Sequence, residues 1–210
     1  IYSYCRETRH KRGIYRRPLH RRLARMDLGP ITKKYKKNRH NIGFMAIDAI
    51  ANSYGFPAFK SKFQGQYSEG IIEGNKVGLL KPSTYMNESG RSVGAASKFY
   101  KLKTNQIIVF HDELDLACAK VKIKIGGGHA GHNGLRSIDS HLGDKNYKRV
   151  RLGIDHPGDK NRVSGYVLSD FSKGDQKWLE DELYGIEKYI GLLLDGKDDD
   201  FMTRIAETLK

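Results

Sequence analysis

Residues 107–115 run Ile107-Ile108-Val109-Phe110-His111-Asp112-Glu113-Leu114-Asp115. Four apolar residues without polar alternation are the pattern of a strand covered on both faces, so Ile107–Phe110 predicts a fully buried central strand. Downstream, Val121, Ile123 and Ile125 alternate with Lys122 and Lys124, which predicts a strand with one apolar and one basic face. A helix near 132–142 (Leu135, Ile138, Leu142) and a further strand (Val150, Leu152, Ile154) follow. Upstream, Phe44, Ile47, Ala51 and Tyr54 have helical spacing behind Asn41 as N-cap, with a stop at Gly55 and Pro57. Strands are expected at 59–65, 71–74 and 76–80, and a helix near 89–100 with Val93, Ala96 and Phe99. The carboxyl-terminal part predicts a strand near 163–168 and a long helix at about 174–193 with Leu179, Leu183, Ile186, Ile190 and Leu193 on one stripe. Asp198-Asp199-Asp200 then caps a short last helix. With no internal repeat or linker, the pattern predicts a single α/β domain, a twisted mixed β-sheet flanked by helices.

The chain has 210 residues, of which 38% are hydrophobic, enough for one sizeable core. No run of about 18 apolar residues occurs, so a membrane span is not expected. Cys5 and Cys118 lie far apart without a C-x-x-C, which argues against a disulfide scaffold or a zinc knuckle and fits a reducing, cytoplasmic setting. Charge is uneven: 38 Lys and Arg against 24 Asp and Glu give +14. Residues 1–26 carry nine basic residues and one acid, and form a basic amino-terminal extension expected to be poorly ordered, ahead of a domain at 27–210. The remaining surplus still favours a polyanionic partner such as nucleic acid.

Three familiar patterns can be set aside on their context. Gly90-Arg91-Ser92-Val93-Gly94 fits G-x-S-x-G, but a nucleophile elbow needs a buried strand running into it, and Tyr85-Met86-Asn87-Glu88-Ser89 is polar. These glycines are expected in helix packing instead. Gly126-Gly127-Gly128-His129-Ala130-Gly131 fits G-x-G-x-x-G, but the strand before it exposes lysines and a His and an Asn follow at once. His111, Asp112, Asp115, His129 and His132 could ligate a metal. The glycine loop gives the His129–His132 pair no rigid face, so no metal is expected and these histidines should bond backbone around a tight loop.

Taken in order, Arg39-His40-Asn41, Lys81-Pro82-Ser83-Thr84-Tyr85-Met86-Asn87-Glu88-Ser89-Gly90, His111–Asp115 and Gly126–Ile138 resemble the bacterial-type peptidyl-tRNA hydrolase family. The resemblance continues through Arg149–Ile154 and His156-Pro157-Gly158-Asp159, and spans about Tyr35 to Leu193. It implies cleavage of the ester between a peptide and the 3′ ribose of tRNA, no cofactor, and tRNA as partner; a monomer is expected. It also implies that His40 is the proton acceptor and Asp112 the carboxylate stabilising its basic form. Asn87 and Asn133 match the substrate-contacting asparagines, Tyr35 and Tyr85 the bulky residues at the tRNA end, and Lys122, Lys124 and Arg151 the basic face that grips phosphates. The chemistry agrees, since an ester needs only a positioned water and one general base, and histidine suits that task near neutrality. The sequence departs from the family's L-G-N-P-G at Leu28-Gly29-Pro30-Ile31-Thr32, where Pro30 replaces an asparagine that distinguishes blocked from free aminoacyl ends. A non-catalytic RNA-binding relative with the same fold is the rival reading.

Overall fold

The computed structural model describes residues 2–7 and 37–210; Pro30 and Tyr35 lie outside the described residues, as does most of the basic extension. Seven strands form one mixed sheet in the order β2-β3-β4-β1-β5-β7-β6. They are β1 (Tyr2–Glu7), β2 (Lys60–Lys62), β3 (Gly65–Ile72), β4 (Asn75–Pro82), β5 (Ile107–Glu113), β6 (Val121–Ile125) and β7 (Lys148–Gly153). Only β5 and β7 pair in parallel; every other neighbour is antiparallel. Among the described residues six helices surround it: α1 (Ile42–Ser53), α2 (Ser89–Tyr100), α3 (Asn133–Leu142), α4 (Val163–Val167), α5 (Gln176–Leu194) and α6 (Asp198–Thr208).

The alternation within β5 explains the layering. Ile108 and Phe110 join α1, α5 and α6 residues such as Ile47, Ile186 and Phe201 in the main core. Ile107 and Val109 face the other way, into a cluster with Val93 of α2 and Leu135 and Ile138 of α3. Both faces of β5 are covered, and all its residues are buried. The α2–α3 packing is close because Gly90 has no side chain: a Cβ there would lie 2.1 Å from the Ser137 carbonyl oxygen. The G-x-S-x-G pattern is therefore helix packing, as expected.

Three expectations are corrected. The strands expected at 59–65 and 71–74 are instead β2 at 60–62 and a longer β3 at 65–72, with turns at 63–64 and 73–74. Residues 2–7 of the basic extension form β1, paired with β4 on one side and β5 on the other. The stretch expected as a strand near 163–168 is instead the helix α4. Tyr166 there donates to the Ile154 carbonyl at 2.5 Å, and its ring lies under the Arg39 guanidinium. These contacts across the fold outweigh the strand preference of Val and Tyr.

Candidate active site

His40 stands in a one-turn 3₁₀ helix, Arg39–Asn41, that leads into α1. Asn41 does occupy the position before α1, but its side chain makes no capping hydrogen bond. The turn is strapped from the far end of the chain. Asn38 Nδ2 donates to the Leu168 carbonyl, and Arg39 donates to Ser169 Oγ at 2.9 Å and to Asp175 Oδ2 at 2.9 Å. Arg39 also stacks 4.6 Å above Tyr166 and 5.2 Å from the Phe171 ring centre. These anchors fix the backbone on which His40 is carried.

Asp112 comes from the carboxyl end of β5 and is buried. His40 Nδ1 lies 2.8 Å from Asp112 Oδ1, and His132 Nε2 lies 3.2 Å from the same oxygen. His132 is the N-cap of α3, and its Nδ1 accepts the Gly134 N–H. That acceptance fixes the tautomer: with Nδ1 holding a lone pair, the proton of neutral His132 sits on Nε2 and is donated to Asp112. In His40 the Nδ1–H donates, which leaves Nε2 with a lone pair.

The charges follow from this arrangement. Burial alone pushes the Asp112 carboxyl up, but His40 and His132 outweigh it and hold the group well below the usual carboxylate range. Burial pushes His132 below the ordinary imidazole value despite Asp112, which keeps it neutral. His111, 1% exposed, is pushed down further by burial and by His132; its Nδ1 bonds the Asp112 carbonyl at 2.8 Å. His111 Nε2 is buried with no hydrogen-bond partner among the described residues.

His40, Asp112 and His132 also place donor atoms within 4.8 Å of one another, a grouping able to hold a metal ion. Both contacts to Asp112 have hydrogen-bond lengths, which a proton on each ring accounts for. As it stands, the cluster is bridged by protons.

The remaining expected residues fall into two groups. Asn87, in a 3₁₀ turn (Met86–Glu88), and Asn133, the first residue of α3, are both exposed on elements that touch each other. Tyr85 precedes Asn87 with its side chain 70% exposed. Lys122 and Lys124 are exposed on β6, and the register sets them beside Arg151 and Arg149 of β7. Arg151 is held differently from the lysines, because its Nε donates to Glu113 Oε2 at 2.8 Å. Sequence reading treated His132 as a loop histidine bonded to backbone. It is that, and it is also the second donor to Asp112. The signal was its place at the start of an amphipathic helix, one residue before Asn133.

Residues 26–210 match the profile of the peptidyl-tRNA hydrolase family. A peptidyl-tRNA hydrolase of Ruegeria sp. is 56% identical over 85% of this chain and 72% of its own length. One from Acidiphilium cryptum is 58% identical over 81% of this chain and 88% of its own. The crystal structure of peptidyl-tRNA hydrolase from Acinetobacter baumannii superposes with a TM-score of 0.77 at 42% identity, covering 82% of this chain and 88% of the other.

Proposed function

The chain belongs to the peptidyl-tRNA hydrolase family, and we propose that His40 is the base with which it hydrolyses the ester joining peptide to tRNA. The 2.8 Å contact between His40 Nδ1 and Asp112 Oδ1 carries this reading. With its Nδ1 proton committed to Asp112, the ring has one basic nitrogen, Nε2, to take a proton from water. The water oxygen attacks the ester carbonyl carbon, and the ribose oxygen leaves with the proton that His40 returns. Asp112, ionised and held by His132, offsets the positive charge that appears on His40 during the step, as the carboxylate of a triad does.

Asn87 and Asn133 hold the substrate beside this base, since an amide offers both a donor and an acceptor. Tyr85 and Tyr35 contact the tRNA end, where a flat ring can stack on a base. Lys122, Lys124 and Arg151 grip phosphates, with the two exposed lysines supplying most of the free charge. The protein acts as a cytoplasmic monomer without a cofactor; among the described residues, no helix is long and apolar enough to cross a membrane.

The test is release of peptide from N-blocked aminoacyl-tRNA by the purified protein. Multiple turnovers are expected. Tight tRNA binding without turnover would establish the rival, a non-catalytic RNA-binding relative. Because proline offers no amide donor, Pro30 should weaken discrimination between blocked and free aminoacyl-tRNA. Restoring Asn-Pro-Gly at 30–32 should raise the ratio of efficiencies on the two substrates. A high ratio in the original protein would assign this discrimination to another residue.

A further inference from the structure

β6 ends at Ile125, which pairs with Lys148 of β7, whereas Asp112 of β5 pairs with Leu152 of the same strand. The chain therefore leaves β6 well short of the level of Asp112, by about 13 Å at the usual strand rise. His132 nonetheless reaches Asp112 at 3.2 Å. Residues 126–131 must run back over the sheet to bring it there. Their own side chains anchor this loop poorly. Gly127, Gly128, Ala130 and Gly131 are exposed, and Gly126 and Gly131 take φ of +67° and +77°. At the end of the loop the His132 N–H donates to the His129 carbonyl at 2.8 Å, a bond that stays within the turn.

Arg149 of β7 lies beneath that path. The register places it between Val109 of β5 and Lys124 of β6, and Val109 faces the α2–α3 side. Arg149 is 4% exposed, and its guanidinium carbon lies 5.9 Å from the Tyr147 ring centre. Its Nη1 donates to the Gly128 carbonyl at 2.8 Å. Among the described residues, Arg149 is the one side chain outside the loop that is hydrogen-bonded to residues 126–131. Its Nε and Nη2 are buried without a hydrogen-bond partner among the described residues. A guanidinium carries five N–H donors, and burying donors that find no acceptor destabilises the fold. An apolar side chain of similar length would serve folding better, so stability does not explain an arginine here.

We propose that Arg149 is a positioning residue: by holding the Gly128 carbonyl it sets the return of the loop and thereby aims His132 at Asp112. The inference rests on the reading of His40 as the base and Asp112 as its carboxylate. His132 accepts the Gly134 N–H at Nδ1 and donates from Nε2, so its ring is aimed only when the loop delivers the start of α3 to the level of Asp112. A loop that slips lengthens the 3.2 Å contact and leaves Asp112 with His40 as its single donor. The carboxylate then no longer stands where it best offsets charge on His40. A misplacement of about 1 Å, caused far from the reacting atoms, can lower turnover about a hundredfold. Lys124, opposite on β6, is exposed, so a phosphate meets the lysine before it meets the buried arginine.

The experiment measures kcat and KM on N-acetyl-aminoacyl-tRNA, and the salt dependence of tRNA binding, for the wild type, Arg149→Met, His132→Asn and the double variant. Asparagine keeps the N-cap of α3 but is too short to reach Asp112. Arg149→Met should lower kcat about tenfold and leave KM within about twofold. It should melt no lower than the wild type. Arg149→Lys, which keeps one donor for Gly128, should recover kcat to within about threefold of the wild type. In the His132→Asn background Arg149→Met should lower turnover no further, because both changes break one contact. Unchanged kcat in Arg149→Met, or losses that multiply in the double variant, would overturn the proposal. So would a flatter salt slope in Arg149→Met, which would make the residue a phosphate contact. If Arg149→Met fails to fold, Arg149→Gln takes its place in the same cycle. Near-normal turnover in His40→Ala would remove the reading of the base; loss there beside an unaffected Arg149→Met would remove the role of Arg149 alone.

Discussion

Asp112 and Glu182 are both buried carboxyls in the same core layer, and they behave in opposite ways. Asp112 accepts hydrogen bonds from His40 and His132 and stays ionised. Glu182, on α5, is 0% exposed, and neither of its oxygens has a hydrogen-bond partner among the described residues. Burial alone pushes its carboxyl up to about 8, so it folds as the neutral acid. Burial therefore does not decide the charge of a carboxylate; the donors around it do. A carboxylate poised to stabilise a cation during catalysis has to be built with such donors.

The largest test of this contrast removes the charge relation at the site. His40→Ala should lower turnover by roughly two to four orders of magnitude with little loss of tRNA affinity. Asp112→Asn should lower it less, since the general base is still present. Near-normal turnover in His40→Ala would refute the base assignment.

The second test takes the other carboxyl. Because the folded pKa of Glu182 is raised, its stabilising contribution is complete below its ordinary value of 4.5 and is lost as pH rises to about 8. Glu182→Leu should therefore be more stable than the wild type, by on the order of a few kcal/mol at pH 8. The gap should grow between about pH 4.5 and 8 in denaturant melts. A gap independent of pH would show that Glu182 folds charged.

The third test concerns the neutral histidines beside Asp112. His111 and His132 have depressed pKa values, so their contribution is present above the ordinary imidazole value and is lost as pH falls below it. The melting temperature should drop from about pH 6.5 downward. His111→Gln should show a smaller drop than the wild type between about pH 7.5 and 5. Equal drops would mean that His111 is not buried neutral.

The smallest effect is at the sheet edge. Lys122→Ala and Lys124→Ala should each flatten the dependence of log affinity for tRNA on log salt by about 0.9 if each contacts one phosphate. This separates charge that is free at the surface from charge held inside, as in Arg151.

Much of this architecture is legible in the sequence, for a physical reason. The helix at 89–100 matches α2 because its apolar spacing and its two ends are both local signals. The unbroken run Ile107–Phe110 identified the strand with two covered faces. What failed was set by contacts between distant segments. Val163–Val167 has strand-favouring residues and folds as a helix against Ile154 and Arg39. Residues 2–7 show no clear periodicity and become a strand through partners on both sides. His40 and Asp112 were found through the family resemblance, whereas the second donor on Asp112 depends on how the glycine loop returns over β5. Glu182 was invisible, because a single acid on an apolar helical stripe gives no sign that its oxygens lack partners.

The strap on the turn carrying His40 also bears on when that turn can be fixed during synthesis. Asn38 and Arg39 bond to residues 130 to 136 positions later, at Leu168, Ser169, Asp170 and Asp175. Contacts of such sequence separation are made late, because the loop they close must first be paid for in chain entropy. While the chain is still growing, its first 112 residues already contain both His40 and Asp112 but lack the contacts from Leu168 to Asp175. The contacts that hold the turn carrying His40 are thus complete only after residue 175 has emerged.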